Sequence, residues 1–100
     1  MIEIRKTREF AVWLDSLRDL RARARVQVRI GRLAEGNPGN VRAVGEGVSE
    51  LKIDHGPGYR VYYTQKRGVL ILLLCGGDKR TQEADISRAI KLARTLRTEP

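Results

Sequence analysis

From Val48 to Cys75 the apolar positions first alternate with polar ones and then run on without a break. Val48 to Asp54 puts Leu51 and Ile53 on one face and Glu50, Lys52 and Asp54 on the other, the period of a half-buried strand. Gly56-Pro57-Gly58 is a turn into Tyr59–Arg67, where Tyr59, Val61 and Tyr63 share one face and Arg60, Tyr62 and Thr64 the other. Lys66-Arg67-Gly68 makes a second turn. Val69 to Cys75 is apolar at every position, as expected of a central strand covered on both faces, and Gly76-Gly77 is read as its breaker.

The flanking segments change to other periods. Met1 to Arg5 alternates Ile2 and Ile4 with Glu3 and Arg5 and predicts a short strand. Thr7 can cap a helix reaching Leu17, with Glu9 in its first turn and Phe10, Trp13, Leu14 and Leu17 on one stripe. At that spacing Trp13 reads as core before it reads as a platform for a nucleic-acid base. Asp19 can cap a second helix to about Glu35, burying Ala22, Val26, Ile30 and Leu33, and the short link around Arg18 predicts a helix hairpin. Gly36-Asn37-Pro38-Gly39-Asn40 ends the helical half. Val41 to Gly47 takes no clear assignment, with Gly45 and Gly47 bracketing a turn. A third helix is expected from Thr81 or Gln82 to about Leu96, with Ile86, Ala89, Ile90 and Ala93 inside. The order is α+β: an N-terminal strand and helix hairpin, a three-stranded antiparallel meander and a C-terminal helix. It makes one domain over residues 1–100, and the helices are expected against one sheet face.

Composition adds a strong bias of charge. Twenty Lys and Arg against 12 Asp and Glu give +8 with His neutral, and the pI is near 10.4. A folded domain so basic attracts polyanions, with nucleic acid first, then acidic proteins, then anionic membranes. The single cysteine, Cys75, excludes an intrachain disulfide and fits a reducing compartment, with its thiol buried in the apolar run. No signal-peptide core is evident, and the seven-residue run Val69–Cys75 is far too short to span a bilayer. A cytoplasmic protein with no membrane association is expected.

The candidate chemistry is cationic. One His and one Cys give poor support for a metal site, so no metal and no small-molecule cofactor are expected. His55 reads as a surface turn residue. On a helical wheel Arg18, Arg21, Arg25, Arg29 and Arg32 gather within roughly 80° at 100° per residue. That stripe fits a solvated face, the docking surface of an acidic partner, or a track for phosphates. If the two central strands form a hairpin, Lys52 and Arg60 point to one face, and Lys79 and Arg80 arrive from the end of the neighbouring strand. Such cations are often only solvated charge. RNA, however, carries its own nucleophile, the 2′-OH, and cutting it takes a base, cations for the phosphorane and an acid for the 5′-oxygen. Arginine's planar fork suits phosphate.

ELKIDHGPGYRVYY (Glu50–Tyr63), GGDK-x-x-Q and the following D-I-x-x-A resemble the HigB-like addiction module killer branch of the RelE/ParE toxin superfamily. IRKTREFAVWLDSLRD near the N-terminus is similar too, so the resemblance covers nearly the whole chain. It implies a RelE/ParE-like fold and the toxin of a type II toxin–antitoxin pair. RelE-type relatives cut mRNA on the ribosome through 2′-OH attack, and a cognate antitoxin, often a helix-turn-helix protein, neutralises them. The partners implied are therefore the antitoxin, the ribosome and mRNA. By position, the resemblance implies Lys52 as base, Arg60 as phosphate clamp, and Lys79 or Arg80 as transition-state stabiliser or proton donor. Two features depart from it or stand beside it. RelE-type toxins often carry a late tyrosine or histidine, and this chain has no aromatic residue and no histidine after Tyr63. ParE-type toxins keep the fold but bind DNA gyrase, so a gyrase inhibitor is the alternative, and a basic RNA- or antitoxin-binding protein without toxicity is a third.

Overall fold

The computed structural model describes residues 2–67 and 69–98, with side chains as far as Leu96. Met1, expected in the first strand, and Gly68, expected in the second hairpin turn, lie outside the described residues. The elements run β1 (Glu3–Lys6), α1 (Arg8–Ser16), α2 (Leu20–Ala34), β2 (Val41–Gly45), β3 (Val48–Ile53), β4 (Tyr59–Lys66), β5 (Leu70–Gly77) and α3 (Gln82–Thr98), with a 3-10 turn over Lys79–Thr81 before the last helix.

Both expected helix caps are present. The Thr7 hydroxyl accepts from the Phe10 amide at 3.0 Å and donates to the Leu74 carbonyl at 2.6 Å, so the cap also fixes α1 to β5. The Asp19 carboxylate accepts from the Arg21 and Ala22 amides at 2.9 and 3.3 Å. His55 Nε2 meets its other oxygen at 3.0 Å, tying the β3–β4 turn to the start of α2. The hydrogen bond from His55, with those from the α2 amides, holds the Asp19 carboxyl below its ordinary range.

Among the described residues the strands form one sheet in the order β1-β5-β4-β3-β2. It contains the expected meander, β3-β4-β5, with one further strand at each edge. Val41–Gly45 is a fourth antiparallel strand, paired with β3 through a turn in which Gly45, Glu46 and Gly47 all have positive φ. β1 pairs in parallel with β5, Ile4 opposite Ile71, and forms the other edge.

The helices are not segregated to one face. α1 and α2 pack Phe10, Leu14, Val26 and Leu33 against Leu51, Ile53, Val61, Tyr63, Ile71 and Leu73. α3 packs Ala89 and Ala93 on the opposite face, over Val48, Tyr62, Leu74 and Cys75. The physical reason is β5 itself, whose uninterrupted apolar run requires cover on both sides. A register shift opposite Tyr62 and Tyr63 puts both Leu74 and Cys75 in the α3 cluster. Burial pushes the Cys75 thiol up to about 11, which leaves it protonated and inert at neutral pH.

Gly76 and Gly77 do not break β5; they are its last paired residues, opposite Val61 and Arg60. A Cβ at Gly76 would enter the Trp13 ring, and one at Gly77 would enter the Asp85 carboxylate. Trp13 is thus part of the packing, in contact with Phe10 at 5.8 Å and Tyr59 at 6.3 Å between ring centroids. Gly76→Ala and Gly77→Ala are each expected to cost about 1–3 kcal/mol by overpacking. Gly31→Ala, in α2 with nothing within 4 Å of the added carbon, should instead stabilise by about 0.5–1 kcal/mol. Thermal melts followed by circular dichroism measure all three; equal melting temperatures would mean that the space at Gly76 and Gly77 is not needed.

Candidate functional site

Strand register assembles the cations. Lys52 on β3 lies directly opposite Arg60 on β4, which lies opposite Gly77 on β5, so one row crosses three strands on the α3 face. The turn at Gly58 completes the cluster. A side chain there would meet Arg60 Nη1 at 3.2 Å and the Cβ of Lys79 at 3.7 Å, and the Lys79 amide donates to the Pro57 carbonyl at 3.4 Å. Lys52, Arg60 and Lys79 therefore come together. Arg80 does not join them: its guanidinium turns back to Asp78, with Nη2 donating to Oδ2 at 3.0 Å. Arg80 in turn lowers the Asp78 carboxyl's pKa.

Behind this row is a buried ionic centre that sequence reasoning missed. Glu50 is only 3% exposed. Its carboxylate accepts from Arg42 Nε at 2.8 Å, from the Tyr62 hydroxyl at 2.9 Å and from Gln82 Nε2 at 2.9 Å. Arg60 Nε stands 3.7 Å from Glu50 Oε2, too far for a good hydrogen bond. Burial opposes the Glu50 charge, but the bonds from Arg42, Gln82 and Tyr62 prevail and hold its carboxyl below the usual range. Burial first, and then the Glu50 charge, push the Tyr62 phenol well up, so Tyr62 donates to Glu50 and is no base at neutral pH.

Arg60 itself is 6% exposed. Its Nη1 donates to the Gly58 carbonyl at 2.7 Å, while Nε is buried without a hydrogen-bond partner. The guanidinium is held at the turn through Nη1 and lies against Glu50 through Nε, next to exposed Lys52 and Lys79. Such a fork has a fixed direction before any ligand arrives. A hollow of about 430 Å³ at the other end of the same face, under the later turns of α3, is lined by Thr64, Leu70, Leu72 and Leu96 and holds none of these cations.

One signal for Glu50 was present in the sequence. Glu50 alternates with Lys52, and Tyr62 with Arg60, so the acid and the phenol share the cation face. Gln82 is the last residue of GGDK-x-x-Q, and the structure gives it a physical task, reaching Glu50 from the first turn of α3. The arginine stripe of α2 is also modified. Arg29 donates to the Lys52 carbonyl at 3.0 Å and the Pro38 carbonyl at 3.2 Å, anchoring the end of β3. Arg18, Arg21, Arg25 and Arg32 remain exposed.

A family model described as "Phage derived protein Gp49-like (DUF891)" matches residues 12–98. An uncharacterized protein of Haemophilus influenzae is 50% identical over 95 residues, covering 95% of this chain and 96% of its own. The solution structure of the conserved hypothetical protein HP0894 from Helicobacter pylori superposes with a TM-score of 0.50 at 17% identity, over 80% of this chain and 97% of that one. At that identity it speaks to the fold alone. No helix among the described residues is long and apolar enough to cross a membrane.

Proposed function

We propose a function on one premise: the chain belongs to the Gp49-like family of phage-derived proteins, a toxin-like family of toxin–antitoxin systems. In this reading it is the toxin of a type II pair and cleaves mRNA on the ribosome, and a small helix-turn-helix antitoxin neutralises it. The finer assignment to the HigB-like, RelE-type branch is part of the same proposal. The observation that carries it is the Lys52–Arg60 cross-strand pair with Lys79 at the same turn.

The roles follow from position. The Lys52 side chain takes the proton of a 2′-OH, and the 2′-oxygen attacks the adjacent phosphorus. The bond from phosphorus to the 5′-oxygen breaks, leaving a 2′,3′-cyclic phosphate, and the Lys79 ammonium supplies the proton for the departing 5′-oxygen. The Arg60 fork holds the phosphate oxygens as charge builds on them. No metal or other cofactor enters this scheme.

A specific observation supports a second reading. Arg60 is largely covered, partly neutralised by Glu50, and no aromatic residue or histidine follows Tyr63. A gyrase-binding toxin of the ParE type needs no exposed catalytic arginine. Primer extension on mRNA in a translating extract separates the two: new cuts within codons at the ribosomal A site are expected. Intact mRNA, with DNA cleavage complexes at toxin levels that arrest growth, would replace the nuclease with the gyrase reading. Within the nuclease reading, Lys79→Ala should reduce the cutting rate by about 10²-fold or more, on the scale of a lost general acid. Arg80→Ala, which loses only the Asp78 pairing, should stay within a few-fold of wild type.

A further inference from the structure

α2 carries a surface that neither the core nor the cation row uses. Its buried residues Ala22, Val26 and Leu33 face the sheet. On the diametrically opposite side, at helical spacing, are Leu20, Ala24, Gln27, Val28 and Gly31, all exposed. Leu20 is 73% and Val28 53% exposed, the large apolar side chains that a surface helix ordinarily turns inward. Directly beside Val28 on the wheel runs the row Arg21, Arg32 and Arg25. Among the described residues these three arginine side chains make no ion pair and no hydrogen bond, whereas Arg23 pairs with Asp15 and Arg29 with the two carbonyls.

We propose that this face of α2 is the docking surface for an acidic amphipathic helix of a partner protein. In the toxin reading, on which only the partner's identity rests, that partner is the antitoxin. The apolar stripe Leu20–Ala24–Val28 receives the partner's apolar ridge, and Arg21, Arg25 and Arg32 receive a flanking row of Asp or Glu. The stripe decides between a protein and RNA. A phosphate backbone is met by the arginines alone and gains nothing from two exposed aliphatic side chains beside them, while an amphipathic helix uses both rows at once. The surface lies on the other side of the sheet from Lys52, Arg60 and Lys79, so an occupant here need not cover the cation row.

The test uses the full chain and the purified product of the neighbouring gene, with polyuridylate as the RNA probe. Leu20→Ser/Val28→Ser changes no charge and touches only exposed positions. It should raise the dissociation constant of the protein complex about tenfold or more, on the scale of two lost interface contacts, and leave polyuridylate binding unchanged. Arg21→Glu/Arg25→Glu/Arg32→Glu should weaken the complex at least as much, and the wild-type complex should weaken as salt rises. Slowed hydrogen exchange over residues 20–34 in the wild-type complex reports the same contact without any substitution. A tight complex indifferent to both variants, with no added protection of α2, overturns the surface. Loss of polyuridylate binding in the arginine variant with an unchanged protein complex assigns the face to RNA and also overturns it. A wild-type chain that binds no neighbouring product removes the antitoxin pairing, and with it this occupant.

Discussion

Replacing Arg60 with alanine is expected to lower mRNA cutting in a translating extract by about 10²-fold or more, the usual scale for loss of a preorganised donor to a transition-state oxyanion. The expectation depends on how the side chain is held. Nη1 is fixed to the Gly58 carbonyl at 2.7 Å, and Nε lies against the Glu50 carboxylate at 3.7 Å without a bond. A fork restrained in this way loses little freedom when it meets a phosphate, and that advantage belongs to arginine geometry more than to charge. Arg60→Lys should therefore recover only a small part of the lost rate, although it keeps the cation. The competing explanation is that Arg60 serves only to neutralise Glu50, and the same variants address it. After Arg60→Ala, Glu50 retains Arg42, Tyr62 and Gln82, so the chain should still fold, with a moderately lower melting temperature. A variant that cuts at the wild-type rate but melts much earlier would make Arg60 a structural partner of Glu50 and remove the clamp from the nuclease reading.

How far the sequence could be read depends on whether each feature has a local cause. The caps at Thr7 and Asp19 are local, and they stand where the residue types put them. The alternation of β3 and β4 is local too, and it correctly set Lys52 and Arg60 on one face. β2 had no such signature, because an edge strand with only Val41 and Val44 half-buried shows no clean period. Its existence comes from pairing with β3. Gly76-Gly77 looked like a breaker because a local reading sees only the freedom of glycine. The structure requires glycine there for space, taken by Trp13 on one side and Asp85 on the other. The placement of α3 was legible in principle, since seven apolar residues in a row cannot be satisfied from one side. For Glu50 the shared face with Tyr62 was legible but the burial was not, because it requires Gln82 to arrive 32 residues later over a face that alternation alone marks as wet. A helical wheel likewise gave the direction of Arg29 but not its partner, a carbonyl 23 residues away.

Glu50→Ala should be the most destabilising single substitution of a polar residue, by about 3–5 kcal/mol, because it leaves buried donors facing a cavity. For a domain of this size that corresponds to a fall in melting temperature of roughly 15 °C or more. Glu50→Gln is the more informative change. It keeps the shape, but an amide has one acceptor oxygen where the carboxylate has two, and its NH2 must face one of the donors Arg42, Tyr62 or Gln82. Its cost should fall between wild type and alanine, and it also removes a pH dependence. The folded Glu50 carboxyl is held below its ordinary value near 4.3, so the unfolded chain binds its proton first as the solution becomes acid. The stabilisation is therefore complete above about pH 5 and is lost as pH falls through the folded value. Asp19 and Asp78 are shifted the same way, so the difference between wild type and Glu50→Gln isolates the Glu50 share of the acid slope. At the alkaline end Tyr62 has the opposite sign: its raised value means that the unfolded chain ionises first from about pH 10, and stability falls as pH rises. Tyr63 and Cys75 are raised by burial as well, so the difference between wild type and Tyr62→Phe isolates the Tyr62 share of that limb. If Glu50→Gln melts like wild type and shows the same acid slope, the carboxylate is not the centre of the network. If it melts earlier, the Arg60 fork has lost the charge that orients it, and cutting should fall even though no residue of the cation row has changed.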